Sequence, residues 1–293
     1  MGEGLEVAKI QDVTKFSLLI EGGVADAHRF PAGDLADAIK SFSNIARRSA
    51  VLSRGGGNPS VGDNTDIPVF VEAIAPGSLG VDFVIGAAQD LVSSLSADGI
   101  KSAMKWAFDY AKSGSERRLR EKIEAENRGK TEDWIDQQQG LVVDAAEGLS
   151  TAFQRIAGLV GEKATKVSVV SKSTKTTLLG TTKTETEIVI EIDSESRNQL
   201  KYEKSDSETQ LFRGRVRRFS DSDYRGAIEV NGEVLRYWPA AKDAELAEKL
   251  SQNLAENNTR RKRGAERTLI DFEAQAVRSA SGDIRRLIVT RVW

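Results

Sequence analysis

The sequence contains no cysteine and a single histidine, His28, among its 293 residues. The absence of cysteine excludes disulfides, thiolate catalysis and thiolate zinc sites. A metal site would have to combine carboxylates with one imidazole, which leaves out most zinc geometries. A Ser-His-Asp triad would depend on the same histidine, and no nucleophile motif accompanies it. We therefore predict no metal, no cofactor, and a loop histidine that is dispensable.

Long apolar runs are missing as well. No window approaches the ~20 apolar residues that a membrane helix needs. The best candidate, residues 81–111, is interrupted by six charged side chains. The first residues lack the basic start and apolar core of a signal peptide. These features predict a cytoplasmic protein without membrane insertion.

Glycine-rich loops are present, but they lack a phosphate-binding pattern. Neither Gly55-Gly56-Gly57 nor the stretch 77–80 is followed by Gly-Lys-Ser/Thr. The pattern Gly-x-Ser-x-Gly is absent, and no carboxylate cluster has the spacing of a calcium loop. We therefore interpret the chain as non-enzymatic. An enzyme with a carboxylate-based site assembled across domains is the least favoured alternative.

Strand and helix patterns alternate along the chain and are typical of an α+β fold. Residues 1–86 predict a small α/β module with one helix packed on a sheet. Its predicted elements are a strand at 16–20, a helix at 33–53, and strands at 67–75 and 79–85 joined by a turn at 76–78.

Residues 87–163 predict an antiparallel helical hairpin with a charged connector over residues 116–130. Apolar residues recur at spacings of four and three on both sides of that connector. The second series is a heptad seam, which fits either packing within one chain or self-association between chains. Its residues are Val142, Ala146, Leu149, Phe153, Ile156 and Val160.

Residues 164–208 predict a β-hairpin that is divided near Gly180 and followed by a charged linker. Side chains alternate in character on both sides of the division, which is strand periodicity. Threonine is dense there, as β-propensity favours. Residues 193–208 are charged and poor in apolar side chains, which favours a linker or an exposed loop.

Residues 209–293 predict three strands, a helix and two further strands. Asn231-Gly232 between two apolar-rich runs predicts a hairpin between the second and third strands. The helix is expected to end near Asn257-Asn258. This order of elements resembles an OB-fold, a small five-stranded barrel that commonly carries a helix between its third and fourth strands. An SH3-like barrel or an open sheet is the alternative.

The same region is the basic part of the chain. Residues 200–293 contain 19 Lys and Arg against 15 Asp and Glu, whereas the whole chain has a net charge of −2. In an OB-like barrel, arginines beside aromatic residues bind phosphates while the aromatic rings stack on bases. The candidates for such contacts are Arg213, Arg215, Arg217, Arg218, Tyr224, Tyr237, Trp238, Arg260, Arg261, Lys262 and Arg263.

Two functions are consistent with these patterns. The favoured one is an interaction or assembly protein, with a protein partner or a second copy of the chain. The alternative is nucleic-acid binding by the barrel, against which the acidic residues Asp221 and Asp223 count. Residue patterns in both halves resemble uncharacterised bacterial and prophage-encoded proteins. That resemblance implies a role in phage–host conflict and assigns no functional residues.

Overall fold

The α+β class is confirmed by a computed structural model with two β-sheets and both long and short helices. Among the residues that the structure describes, no helix combines the length and the apolarity that crossing a membrane requires. Four predicted features lie outside the described residues: His28, the glycine-rich loop, the 76–78 turn and the division near Gly180. The structure describes residues 10–27, 30–54, 67–75, 79–88, 94–176, 182–241, 243–266 and 268–293.

The chain forms two compact units. Unit 1 comprises residues 1–111 and 123–201, and unit 2 comprises residues 112–122 and 202–293. Unit 1 thus draws on three of the four segments that the sequence analysis distinguished. The physical reason is that strands on both sides of the helical segment pair in one sheet.

This sheet of unit 1 is antiparallel and has the strand order β2-β3-β1-β4-β5. The central strand β1 pairs with β3 on one side and with β4 on the other, so that Phe16 lies opposite both Phe83 and Ser171. The predicted β-hairpin of residues 164–208 therefore extends the N-terminal sheet. The strands are β1 (Ile10–Glu21), β2 (Val69–Ala75), β3 (Leu79–Ala88), β4 (Lys166–Thr176) and β5 (Thr182–Ile192).

The described residues between positions 32 and 201 form five α-helices. They are α1 (Ala32–Ser53), α2 (Ala97–Ser113), α3 (Glu116–Glu126), α4 (Glu132–Ala157) and α5 (Ser194–Lys201). α1 packs along α4 and places Phe42 against Phe83 of the sheet, with 4.5 Å between the ring centroids. The charged connector between the two apolar series is itself helical and forms α3.

The linker prediction for residues 193–208 is wrong at its start, because α5 forms there. The carboxylate of Asp193 accepts a hydrogen bond from the backbone N–H of Ser196 at 2.8 Å and caps the helix. That backbone hydrogen bond lowers the pKa of Asp193. Leu200 is fully buried and anchors the helix. One cap and one anchor are enough to order a segment whose composition is otherwise that of a linker.

The heptad seam on α4 packs inside the chain. Val142, Leu149, Phe153 and Ile156 are each at most 1% exposed, and so is Val160 just beyond the helix. The side chain of Ala146 lies outside the described residues. The ring of Phe153 meets that of Phe108 on α2 edge to face, with 5.2 Å between the centroids. The seam is therefore core, and self-association through it would require its residues to leave that core.

Glu187 on β5 is held by two lysines of α2. The Nζ atoms of Lys101 and Lys105 lie 2.8 and 2.9 Å from its carboxylate oxygens. The hydrogen bond from Lys101, followed by that from Lys105, lowers the pKa of Glu187 from 4.5 to about 2. A carboxylate with a depressed pKa stabilises the fold above its unfolded pKa, and this stabilisation is lost as the pH falls toward the folded pKa.

We expect Glu187→Gln to remove that pH-dependent contribution. The carboxylate is about half exposed, so solvent screening limits the loss at neutral pH to no more than ~1 kcal/mol. Urea unfolding at about pH 6 and about pH 3 measures it, because the native contribution declines between pH 4.5 and about 2. The difference between variant and wild type should shrink at the lower pH. An equal difference at both would contradict the assignment.

Unit 2 is built around a closed five-stranded barrel. Its elements are β6 (Lys204–Ser205), β7 (Gln210–Phe219), β8 (Gly226–Val230), β9 (Glu233–Pro239), α6 (Ala244–Lys262), β10 (Ile270–Arg278) and β11 (Ile284–Val292). The order around the barrel is β7-β8-β9-β11-β10, and β10 closes it by pairing with β7. β9 and β11 are parallel, and the other neighbouring strands of the barrel are antiparallel. Along the chain, α6 lies between β9 and β10, the third and fourth strands of the barrel in sequence order. The predicted OB-like barrel is therefore confirmed.

The predicted hairpin turn at Asn231-Gly232 joins β8 to β9. Both residues have positive φ, 52° and 82°, as a two-residue turn between twisted strands requires. The mid-strand Gly214 on β7 lies against the backbone carbonyl of Glu229, where a Cβ would collide. The glycine therefore permits the close approach of β8, and a register shift follows between Val216 and Arg218.

α6 continues past the predicted stop, so that prediction is wrong by about one turn. Asn257 is 6% exposed, and its amide exchanges two hydrogen bonds with the backbone of Thr268, at 3.0 and 2.8 Å. Asn253, one turn earlier, accepts from the backbone N–H of Val216 on β7 at 3.0 Å. The asparagines thus fasten the helix to the barrel instead of ending it.

Candidate functional site

The outer surface of β9 and β11 forms a face of basic and apolar side chains around Trp238. On β9 the side chains of Leu235 and Tyr237 are buried, so the alternate positions point outward. In the parallel register Arg286 lies opposite Arg236, and Ile288 opposite Trp238. We call this surface the Trp238 face. It consists of Val234, Arg236, Trp238, Arg286 and Ile288.

Trp238 is contacted by two arginines. The guanidinium carbon of Arg286 lies 4.1 Å from the centroid of its ring, and that of Arg225 lies 4.5 Å away. Arg225 ends the loop 220–225 between β7 and β8, whose residue Tyr224 has a φ of 60°. Cation–π contacts of this kind fix both the indole and the guanidinium groups. An aromatic ring contacted by two guanidinium groups is therefore the centre of the face.

Each of these arginines also has a carboxylate nearby. Arg286 donates two hydrogen bonds to Glu203, at 2.8 and 2.6 Å. Arg225 lies 3.5 Å from Asp223. Bidentate arginine–carboxylate geometry is also the geometry in which arginine binds phosphate. Both arginines are therefore already paired with carboxylates of unit 2, and an anionic ligand would have to compete with these carboxylates.

Most of the arginines predicted on β7 form ion pairs with acidic residues of the barrel. Glu229 on β8 accepts from Arg215 at 2.7 Å and lies 3.2 Å from Arg217. Arg213 lies 3.5 Å from Asp271 on β10. The hydroxyl of Tyr237 donates a hydrogen bond to the backbone carbonyl of Arg218 at 3.3 Å. These ion pairs join neighbouring strands of the barrel.

The two predicted tyrosines lie in surroundings that differ from those of Trp238. Tyr237 is fully buried in the barrel core, and burial, reinforced by the negative charge of Asp223, raises the pKa of its hydroxyl. Tyr224 stacks on Phe219, with ring centroids 6.2 Å apart. Of the predicted aromatic residues, Trp238 alone lies on the outer face.

The basic cluster at residues 260–263 belongs to the C-terminal end of α6 and not to a strand of the face. Arg260 is engaged by Glu256 at 2.9 Å, four residues earlier on the same helix. Lys262 and Arg263 are exposed, and the side chain of Arg261 lies outside the described residues. Basic residues at the negative end of a helix dipole stabilise the helix, which explains the cluster structurally.

Sequence reasoning missed Arg225, Arg236 and Arg286. Arg236 precedes Trp238 by two residues, so strand alternation was a sufficient signal for it. Arg225 and Arg286 come from a loop and from another strand, and no local pattern connects them to Trp238. The described ranges contain no group of three or more acidic or histidine side chains able to hold a metal ion.

The fold defines this chain as an α+β unit joined to an OB-like barrel. The chain belongs to the family described as a domain of unknown function, DUF7946, whose model matches residues 16–190. The match covers the sheet of unit 1 and helices α1 to α4, whereas the barrel strands lie outside it. Comparisons with curated proteins and with solved structures found no match.

Proposed function

We propose that the OB-like barrel binds single-stranded nucleic acid through the Trp238 face. OB-folds commonly bind oligonucleotides on the face of their second and third strands, between the loop joining strands one and two and the loop joining strands four and five. The corresponding elements here are β8, β9 and the loops 220–225 and 279–283, and the Trp238 face shares β9 with this surface. The observation that carries the proposal is Trp238 at this position, contacted by Arg225 and Arg286.

The chemistry of the face fits a polyanion with aromatic bases. Guanidinium groups bind phosphate oxygens in pairs, and an indole stacks on any base without regard to sequence. Glu203 and Asp223 must release their arginines for phosphates to bind, and a guanidinium group must leave the ring of Trp238 for a base to stack on it. We therefore expect modest affinity at low salt that falls steeply as salt rises, because each phosphate contact releases counterions.

Trp238→Ala is expected to weaken binding by about 1–3 kcal/mol if the indole stacks on a base, which is about 5- to 150-fold in affinity. Arg286→Gln should reduce the slope of log affinity against log salt by about one. Fluorescence anisotropy of a labelled single strand of about 12 nucleotides measures both, since an OB fold covers roughly 4–16. Thermal unfolding of each variant verifies that the barrel is intact.

Arg263→Gln is the matched control, because it removes the same charge from outside the Trp238 face. It should leave affinity close to that of the wild type. An equal loss in Arg263→Gln and Arg286→Gln would indicate attraction by net charge alone and would contradict the proposed face. Absence of any binding at low salt would overturn the proposal.

A protein partner is the second candidate, favoured by an exposed apolar patch on the barrel. Leu211 on β7 is 69% exposed, Leu269 before β10 is 48% exposed, and Trp293 after β11 is 53% exposed. The backbone N–H of Trp293 donates a hydrogen bond to the carbonyl of Asp271 at 3.1 Å, which places Trp293 beside β10. Light scattering tests this candidate for a second copy of the chain. If the patch joins copies, Leu211→Ser with Trp293→Ser should lower the measured mass.

For either function, we propose that the protein acts in the cytoplasm. The resemblance to bacterial and prophage-encoded proteins adds phage–host conflict as the proposed setting. Comparing the phage resistance of cells with and without the intact protein, and with the Trp238→Ala variant, tests this setting.

A further inference from the structure

Residues 202–206 of unit 2 reach the Trp238 face, and we call this segment the strap. It contains β6, which pairs with the end of β10. Near its start, Glu203 accepts two hydrogen bonds from Arg286, at 2.8 and 2.6 Å. The guanidinium group of Arg286 in turn contacts the ring of Trp238. The strap therefore brings a carboxylate to one of the two arginines on which the proposed binding depends.

Asp206 anchors the other end of the strap. The guanidinium group of Arg278 donates to its carboxylate from two nitrogens, at 3.0 Å each. The same guanidinium group donates to the backbone carbonyl of Gly282 at 3.1 Å. Gly282 belongs to the loop 279–283, one of the two loops that border the proposed binding surface. The anchor thus keeps the strap close to that surface whether or not Glu203 is engaged.

The part of the strap that carries Glu203 has little to hold it in place. Residues 202–205 are all exposed, and β6 is only two residues long. Segments with few buried apolar contacts open at a low cost in free energy. An ion pair with solvent access adds only modestly to the stability of the folded state. A ligand can therefore separate Glu203 from Arg286 without unfolding the barrel.

Glu203 also leaves one donor of Arg286 unused. Its carboxylate accepts from the two terminal nitrogens, Nη1 and Nη2. The Nε atom of Arg286 is buried and has no hydrogen-bond partner in the part of the chain that the structure describes. Arg215, by contrast, binds Glu229 through Nε and Nη2. A phosphate binds guanidinium groups in either geometry, so a ligand could use the donor that Glu203 does not.

Asp223, the second carboxylate near Trp238, differs from Glu203 in how it is attached. It lies two residues from Arg225 in the same loop and accepts a hydrogen bond from the backbone N–H of Arg225 at 3.3 Å. Asp223 and its arginine therefore move together. Glu203 and Arg286 belong to different segments, so their ion pair can open while both segments remain folded.

We propose that the strap is a built-in competitor that limits the binding of single-stranded nucleic acid at the Trp238 face. Glu203 holds Arg286 when the face is empty. A phosphate of the ligand displaces Glu203, while Asp206 keeps the strap attached to the barrel. This inference rests on the proposed function of the face and adds the regulation of the same site.

Glu203→Gln in the full chain tests the proposal, with the labelled single strand of about 12 nucleotides as the ligand. The variant should bind about fivefold more tightly than the wild type at low salt, which corresponds to about 1 kcal/mol, because the ligand no longer displaces a carboxylate. Glu208→Gln is the matched control, since it removes the same charge from an exposed position outside the strap. Its gain in affinity should be much smaller. Thermal unfolding of both variants verifies that the barrel is intact.

The same two substitutions in an Arg286→Gln background separate lost competition from a change in net charge. Without Arg286, Glu203 no longer competes with the ligand, so Glu203→Gln should gain no more affinity than Glu208→Gln. An undiminished fivefold gain in that background would contradict the strap. Weaker binding by the single variant Glu203→Gln would mean that Glu203 positions Arg286 for the ligand, and would overturn the proposal.

The outcome for the strap can be told apart from the outcome for the face. Wild-type affinity in Glu203→Gln would overturn the strap and leave the proposed function of the face intact. Absence of binding by both the wild type and Glu203→Gln would overturn the face and the strap together.

Discussion

Phe153→Ala is expected to lower the free energy of unfolding by about 3–5 kcal/mol, as truncation of a buried phenylalanine in a rigid core does. Its side chain is 1% exposed and contacts the ring of Phe108 edge to face. The truncation removes this aromatic contact and leaves a cavity in the middle of the heptad seam. Neighbouring helices cannot close such a cavity without disturbing the rest of the core.

Urea unfolding followed by circular dichroism measures that loss, and light scattering measures the mass of the variant in parallel. The mass should equal that of the wild type, because the seam packs within one chain. Ile188→Ala is the control, since this β5 side chain is 54% exposed. The control should stay within about 0.5 kcal/mol of the wild type. A lower mass for Phe153→Ala with an unchanged unfolding midpoint would show that the seam joins chains.

Asn253→Ala is expected to lower the free energy of unfolding of the barrel by about 2–4 kcal/mol, since a buried donor left without an acceptor costs about 1–3 kcal/mol. The donor is the backbone N–H of Val216, where the register of β7 and β8 shifts. Asn253 also accepts from the amide of Asn257 at 3.0 Å. Removing the side chain leaves both groups without this acceptor in the core between α6 and the strands.

Asn258→Ala tests whether burial and bonding, and not residue type, explain that effect. Asn258 lies on the exposed side of the same helix. Because alanine has the higher helix propensity, this control should be neutral or slightly stabilising, by up to ~0.5 kcal/mol. Thermal unfolding of both variants at matched pH provides the comparison. Equal destabilisation by the two substitutions would mean that the asparagine network does not fasten α6 to the barrel.

Several features of this fold follow from local sequence alone. Asn231-Gly232 predicts its hairpin because few other residue pairs tolerate positive φ at both positions. The alternation along β9 puts Tyr237 and Trp238 on opposite sides of one strand, although it does not say which side is the core. The order of three strands, a helix and two strands predicted an OB-like barrel, with an SH3-like barrel or an open sheet as the alternative. Local patterns failed where a few contacts decide the outcome, as in α5, which depends on the Asp193 cap and on Leu200.

The sequence by itself therefore determined the classes and order of the elements, because backbone preferences and apolar periodicity act over a few residues. Only the tertiary structure decided which elements meet. The pairing of β1 with β4 joins residues about 150 positions apart, and the parallel pairing of β9 with β11 brings Arg286 to Trp238. Such contacts depend on the packing of whole faces, and a local pattern contains no information about the partner of a face.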